Sequence, residues 1–365
     1  MRLYYATTKT YPATTADHIY IRELSKGFVL SGANFTLLVS RTGDDLINIP
    51  TEEILPRGSK TFSFLLWLIS FCKKGQNKDV VFMANDFNIL AILIVYRYIF
   101  RHSYMVVSDW HLMTGTWKDG LVARGSDVLI TTSERLRSLI SWKFPKTTIH
   151  SFVVYGGVDT SAFNALHNRS KTDIRKELNL PIDKKIIGYV GGWKTMGMDK
   201  GLGLVLSGLQ YLEKDIICVF VGGSVDEITE YSAIAEKMSV KDRCVFIGRY
   251  DYSQAALYEK ALDVLVIPYP NEPHFTDYGF PMKVYEYLAS GTPVVYSNLE
   301  IIDEVMKGKG ISFEAGNAGS FVRAVEKIIT QKPEMVRDME EYSWENKARE
   351  VEVLVQKKLG HELGR

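Results

Sequence analysis

At 365 residues the chain is long enough for two domains or one large α/β unit. Its formal net charge of +1 argues against the broad basic face of a nucleic-acid binder, and its 46% hydrophobic content supports a sizeable core. Cys72, Cys218 and Cys244 form no CxxC and no zinc-ligand spacing, so they read as core packing in a reducing compartment.

The first residues, MRLYYATTKT, lack an apolar h-region, so no secretory signal is expected. Strand-like RLYYATT is followed by helix-like DHIYIRELSKGFVLSG and then by NFTLLVS, again a strand. Two apolar segments follow, at 62–75 and 89–100, both short of the roughly 20 residues that a spanning helix needs. The second reads as a buried helix. The first has two readings. It is either a buried helix or one lying on an anionic membrane surface, with Leu65, Leu66, Trp67, Ile69 and Phe71 inward and Lys73 and Lys74 at the headgroups. DVVFMAN, SYMVVSD, DVLITTS and IHSFVVYGG continue the strands. A polar break near 160–180 precedes a restart with KIIGYVGGW, IICVFVGG, RCVFIG, DVLVIPY and TPVVYSN, each separated by a helical pattern, and the tail reads as a charged helix. Such alternation predicts two Rossmann-like halves with parallel sheets, and places ligands at the carboxyl ends of the strands.

Three successive strands of the second half end in glycine: Gly191-Gly192, Gly222-Gly223 and Gly248 before Arg249-Tyr250. Lys200 stands just before a helix, where glycine backbone, a helix start and a point charge suit a phosphate; a glycine turn with a solvated lysine is the plainer reading. Lys283 and Glu286 are three apart on the helix that follows Gly279, Phe280, Pro281 and Met282. They read either as a surface ion pair or as an anion site beside a carboxylate that accepts from a diol. No Asp-x-Asp occurs in the chain.

The stretch FIGRYDYSQAALYEKALDVLVIPYPNE, with YGFPMKVYEYLASGTPVVYSN after it, resembles the carboxyl-terminal half of the GT-B glycosyltransferases, especially the family-4 (group 1) retaining enzymes. GYVGGWKTMGMDKG is similar to that family's phosphate loop, VVYGGVD to its domain junction, and SDWHLMTG to a strand end of its amino-terminal half; the DWH run is also similar to an inverting mannosyltransferase of lipid-linked chitobiose assembly. Gly192 stands where the family has an arginine, Tyr278 where it has the first glutamate of E-x7-E, and Thr14-Thr15 where it has Gly-Gly.

The resemblance implies an α/β chain of two Rossmann-like domains facing across a cleft: 1–165 for the acceptor, 166–335 for the nucleotide sugar, and 336–365 a helix packing back on the first. It implies a donor site of Gly191, Gly192, Lys200, Arg249, Tyr250, Asp277, Tyr278, Phe280, Pro281, Met282, Lys283 and Glu286. His111 and Glu286 are the catalytic candidates, and Thr14, Thr15 and Asp109 lie on the acceptor side. The activity implied is sugar transfer from a nucleotide diphosphate sugar to a glycan or lipid-linked acceptor in surface polysaccharide or glycoconjugate synthesis. It would retain configuration and need no metal or other cofactor. The expected location is cytoplasmic, at the membrane surface if the 62–75 helix lies on lipid, with no nucleic-acid partner. A sugar-nucleotide epimerase of the same fold and a non-catalytic nucleotide-sugar-binding subunit are the alternatives. Product formed from donor alone marks the first, and donor hydrolysis without acceptor excludes the second.

Overall fold

A computed structural model describes the chain except residues 13–14, 55–57, 76–78, 279–281, 332–338 and 364–365; residues 148–149 and 361–363 are described by their backbone alone. Two compact units result: Met1–Gly157 with Glu341–Arg365, and Val158–Glu340. The division thus falls before the 165/166 boundary expected from the polar break. The reason lies in the helix Thr160–Asn164, which packs on the helix Met282–Ser290 and so belongs to the second unit.

In the first unit the strands are β1 (Arg2–Ala6), β2 (Phe35–Val39), β3 (Thr51–Glu53), β4 (Val80–Ala84), β5 (Met105–Trp110), β6 (Val128–Thr131) and β7 (Ser151–Val153). Among the described residues they form a parallel sheet in the order β3-β2-β1-β4-β5-β6-β7. β4, β5 and β6 are buried throughout, so they read as unbroken apolar runs rather than alternating ones. The helix Trp344–Leu363 returns to this unit and packs on the helix Ala16–Leu30. Gly27 makes that approach possible, since a Cβ there would stand 2.2 Å from the Trp344 carbonyl oxygen.

In the second unit the strands are β8 (Lys185–Val190), β9 (Lys194–Thr195), β10 (Met198–Asp199), β11 (Ile216–Gly223), β12 (Cys244–Gly248), β13 (Val264–Ile267), β14 (Val294–Ser297) and β15 (Ile311–Phe313). Its parallel sheet runs β12-β11-β8-β13-β14-β15, while β9 and β10 form a separate antiparallel hairpin. Both sheets reverse direction of winding beside their first strand, between β1 and β4 and between β8 and β13. In open α/β sheets such a reversal opens a crevice at the carboxyl ends.

Neither apolar helix of the first unit is as the plain reading had it. In Lys60–Lys73, Phe71 is buried, and Trp67 stacks on Phe64 and Phe71 while its Nε1 donates to Glu52 at 2.6 Å. Leu65, Leu66 and Ile69 are half-buried and Phe62 is exposed, so the outward apolar surface is smaller than the pattern suggested. In Phe87–Phe100 the first turns are buried, yet Tyr98 is 85% exposed, with Ile99 and Phe100 beside it in sequence also exposed. No helix among the described residues is long and apolar enough to cross a membrane.

Candidate active site

The reversal point of the second unit gathers several of the expected residues. β8 delivers Gly191, which adopts φ +142°, and a Cβ there would lie 2.7 Å from Lys283 Cε. Glycine at this position therefore makes room for the lysine stem. Its N–H is already given to the Val221 carbonyl at 2.9 Å, so it does not serve a phosphate. The next helix start, at Leu202, is also occupied: Asp199 Oδ1 accepts from the Gly201 and Leu202 N–H groups at 2.5 and 3.1 Å. Gly192 is exposed. What remains for an anion in this loop is Lys200. It is half-buried, and among the described residues its ammonium has no hydrogen bond or ion pair. Burial, with the like charge of Lys283 added, pushes its pKa down to about 8.

Glu286 lies in the helix Met282–Ser290 at 2% exposure. Its Oε1 accepts from the Tyr252 hydroxyl at 2.7 Å, and its Oε2 from the Lys283 ammonium. Lys283 was expected to reach a diphosphate. Instead it is turned inward, bonded to Glu286 and 3.6 Å from the buried carboxylate of Glu259. Burial alone would lower the Lys283 pKa; the charge of Glu286, with Tyr250 and Glu259, outweighs that and holds it well above the usual lysine range. Burial pushes the Tyr250 hydroxyl up to about 12, with the Lys283 charge acting the other way. Arg249 is exposed. Asp277 and Tyr278 lie half-buried in the turn His274–Tyr278, and Met282 opens the helix that carries Glu286. Phe280 and Pro281 lie outside the described residues.

In the first unit, β5 ends at Asp109 and Trp110, with His111 next. Asp109 was expected on the acceptor side. It has no exposed surface: Oδ2 accepts from Tyr5 at 3.1 Å, Oδ1 from Tyr20 at 3.5 Å, and His111 Nε2 stands 3.3 Å from Oδ1 without the alignment of a hydrogen bond. Asp109 therefore lies beneath the surface, close to His111, which is 20% exposed and meets the Tyr20 ring edge-on at 4.4 Å. Thr15 precedes the helix Ala16–Leu30, its Oγ1 bonded to Asp17 and His18 at 2.7 and 2.5 Å; Thr14 lies outside the described residues. A groove of about 770 Å³ elsewhere in this unit, between β7 and the helices Glu134–Lys143 and Trp344–Leu363, is lined by none of the expected residues.

Comparison with known proteins bears on this arrangement. Residues 170–345, which carry Lys200, Tyr252, Lys283 and Glu286, match the family described as glycosyl transferases, group 1. The second unit is a group 1 glycosyl transferase domain. Among curated relatives, the uncharacterized glycosyltransferase MJ1607 of Methanocaldococcus jannaschii is 26% identical over 234 residues, 61% of this chain and 58% of its own length. The D-inositol 3-phosphate glycosyltransferase of Xylanimonas cellulosilytica is 29% identical over 182 residues, 48% of this chain and 41% of its own length. The aligned parts thus span about half the length of these relatives. Among solved structures, HepE of Anabaena in complex with UDP superposes with a TM-score of 0.70 at 15% identity, covering 100% of both chains. The fold is that of the GT-B glycosyltransferases.

Within the transferase domain, three residues of the cluster were not among those expected. Tyr252 holds Glu286, Glu259 faces Lys283, and His274 has its imidazole pushed down by burial and by the charge of Lys200. His274 sits four residues before Tyr278, inside the loop already singled out, and position was its only signal. Tyr252 and Glu259 belong to a stretch, YSQAALYEKA, that reads as an ordinary half-exposed helix.

Proposed function

We propose that the chain moves a sugar from a nucleotide diphosphate sugar to a glycan or lipid-linked acceptor in surface polysaccharide or glycoconjugate synthesis, with retention of configuration and without a metal. One observation carries this reading: a buried glutamate, Glu286, sits with Lys283 and Gly191 at the reversal point of the transferase domain's sheet, next to an unpaired lysine, Lys200. A nucleoside diphosphate offers a partner to each group. Its ribose hydroxyls are donors suited to the carboxylate of Glu286. Its phosphates restore to Lys200 a counter-charge that burial has removed. When the sugar departs, negative charge grows on the leaving diphosphate, and a preplaced ammonium stabilises that charge more than the ground state. His111 is assigned to turnover and not to nucleotide affinity. That HepE binds UDP supports testing uridine first.

Calorimetric titration with UDP, ADP and GDP tests the donor assignment. The expected result is binding of at least one, accompanied by a rise in Tm. Failure of all three overturns it. Membrane-surface contact through Lys60–Lys73 belongs to the same proposal. Lys73→Glu/Lys74→Glu should lower flotation with anionic vesicles, by about 1 kcal/mol for each lysine near the surface. Equal flotation of variant and parent removes the membrane from the proposal.

A further inference from the structure

Glu259, in the helix Ala255–Ala261, has no exposed surface, and neither of its carboxylate oxygens has a hydrogen-bond partner among the described residues. Burial, opposed by Lys283, raises its pKa well above the carboxylate range. A buried polar group left unpaired is costly and calls for an explanation. Its nearest cation, the Lys283 ammonium, lies 3.6 Å from Oε1, just beyond hydrogen-bond length, and is bonded to Glu286 instead. One ammonium thus faces two carboxyl groups and serves one of them.

The other half of the problem is Glu286. A ribose diol competes for its oxygens, each of which already accepts one bond: Oε1 from the neutral Tyr252 hydroxyl, and Oε2 from the Lys283 ammonium, which draws its charge. Releasing Lys283 from Glu286 would strand a buried ammonium unless a second acceptor stood ready. We infer that Glu259 is that acceptor: a positioning residue that takes the Lys283 hydrogen bond when a nucleotide reaches the site, freeing Glu286 Oε2 for the ribose. The ammonium moves by about 1 Å, from 3.6 Å to ordinary hydrogen-bond length. The lysine stem is flexible, and Gly191 leaves its Cε unobstructed. No covalent bond changes, and the proton stays on Lys283. The inference rests on the assignment of Glu286 to the ribose.

The test compares the tightest binder among UDP, ADP and GDP with its 2′,3′-dideoxy analogue, by calorimetry, on the full chain. The wild type should favour the ribonucleotide by about tenfold or more, the margin of a charged hydrogen bond. In Glu259→Met the gap should shrink to within about threefold, with affinity for the dideoxy analogue unchanged and Tm equal or higher, because an orphaned polar group has gone. Glu259→Gln keeps an oxygen acceptor in place and should retain most of the gap. Glu259→Leu repeats the measurement if the Met variant does not fold. A full gap in the apolar variant overturns the inference alone. So does an equal weakening of both probes, which would make Glu259 a part of the fold. A wild type that binds both probes equally overturns the ribose assignment of Glu286, and the inference falls with it.

Discussion

Each sheet ends in a buried carboxylate, and the two are held in opposite ways. Asp109, after β5, accepts from two neutral phenols, Tyr5 and Tyr20, and no cation is bonded to it; His111 merely stands close. Glu286, after β13, is bonded to an ammonium that a second buried carboxyl group also faces. In the first, both oxygens accept from phenols, while the nearby His111 Nε2 has no hydrogen-bond partner among the described residues. The second is one partner short, because Glu259 is unserved while Glu286 has what it needs only as long as no ligand asks for it. The first kind of carboxylate is kept by neutral donors; the second, sharing its ammonium with another carboxyl group, is the kind a ligand can reorganise.

The largest effect expected is on the neighbour of Asp109. His111→Ala should lower turnover by about 10²–10³-fold, as the loss of one preplaced polar group at a reacting centre does, while nucleoside diphosphate affinity stays within about twofold. The split follows from His111 belonging to the first unit and the nucleotide contacts to the second. Steady-state kinetics beside calorimetry measures it. Wild-type turnover would reduce His111 to packing against Tyr20, and the Asp109 cluster to a piece of core.

Next comes Glu286→Gln, which keeps the shape and removes the charge. It should weaken nucleoside diphosphate binding by about 1.5–3 kcal/mol, roughly ten- to hundredfold, with little change in turnover at saturation. If affinity is unchanged and only Tm moves, Glu286 is a second Asp109, and the contrast between the two sheet ends disappears.

That contrast was half visible in the sequence. Strands such as IICVFVGG and DVLVIPY were legible because sheet interiors covered on both faces need unbroken apolar runs. The short strands β3, β9, β10 and β15 were not, since two or three residues cannot show a period of two. Glu286 stood out because a carboxylate on an apolar helix face needs a partner, and Lys283 because three residues separate the two. The direction in which Lys283 turns was hidden: only the tertiary fold shows that its stem passes Gly191 into the interior. Glu259 was hidden for a related reason. In YEKA a glutamate beside a lysine reads as a solvated pair, and burial of one of them depends on which way a two-turn helix is rotated. Asp109 stood out, but its depth was hidden, because a strand-end aspartate looks the same in sequence whether it meets solvent or two phenols.

A smaller and graded effect is expected from Lys200. Its pKa of about 8 in the unliganded fold means that the ammonium is charged below that pH and neutral above it. A bound diphosphate stabilises the charged form and so raises the pKa. Affinity should therefore be insensitive to pH just below 8 and fall as pH rises past it, by at most tenfold per unit, until the pKa of the complex is reached. Lys200→Arg keeps its charge throughout and should bind without that falling limb. Calorimetry from pH 7 to about 9.5 checks the sign. A limb that persists in Lys200→Arg would overturn the assignment of this titration to Lys200; Tyr250, pushed up to about 12, and Lys283, held well above the usual lysine range, stay protonated across this window.

The smallest effect expected is none. If Lys200 supplies the charge opposite the diphosphate, as proposed, EDTA should leave turnover within about twofold of the untreated enzyme. Among the described residues no group of three or more His, Cys, Asp or Glu side chains is arranged to hold an ion. The carboxylates that could be recruited are those at the two sheet ends. A cation at Asp109 would compete with Tyr5 and Tyr20, and one at Glu286 with Lys283 and Tyr252. A steep loss in EDTA that magnesium or manganese restores would require one of these clusters to open. If Glu286→Gln then shifted the metal requirement and Asp109→Asn did not, the cation rather than Glu259 would be what Glu286 waits for, and the Lys283 ammonium would be its stand-in.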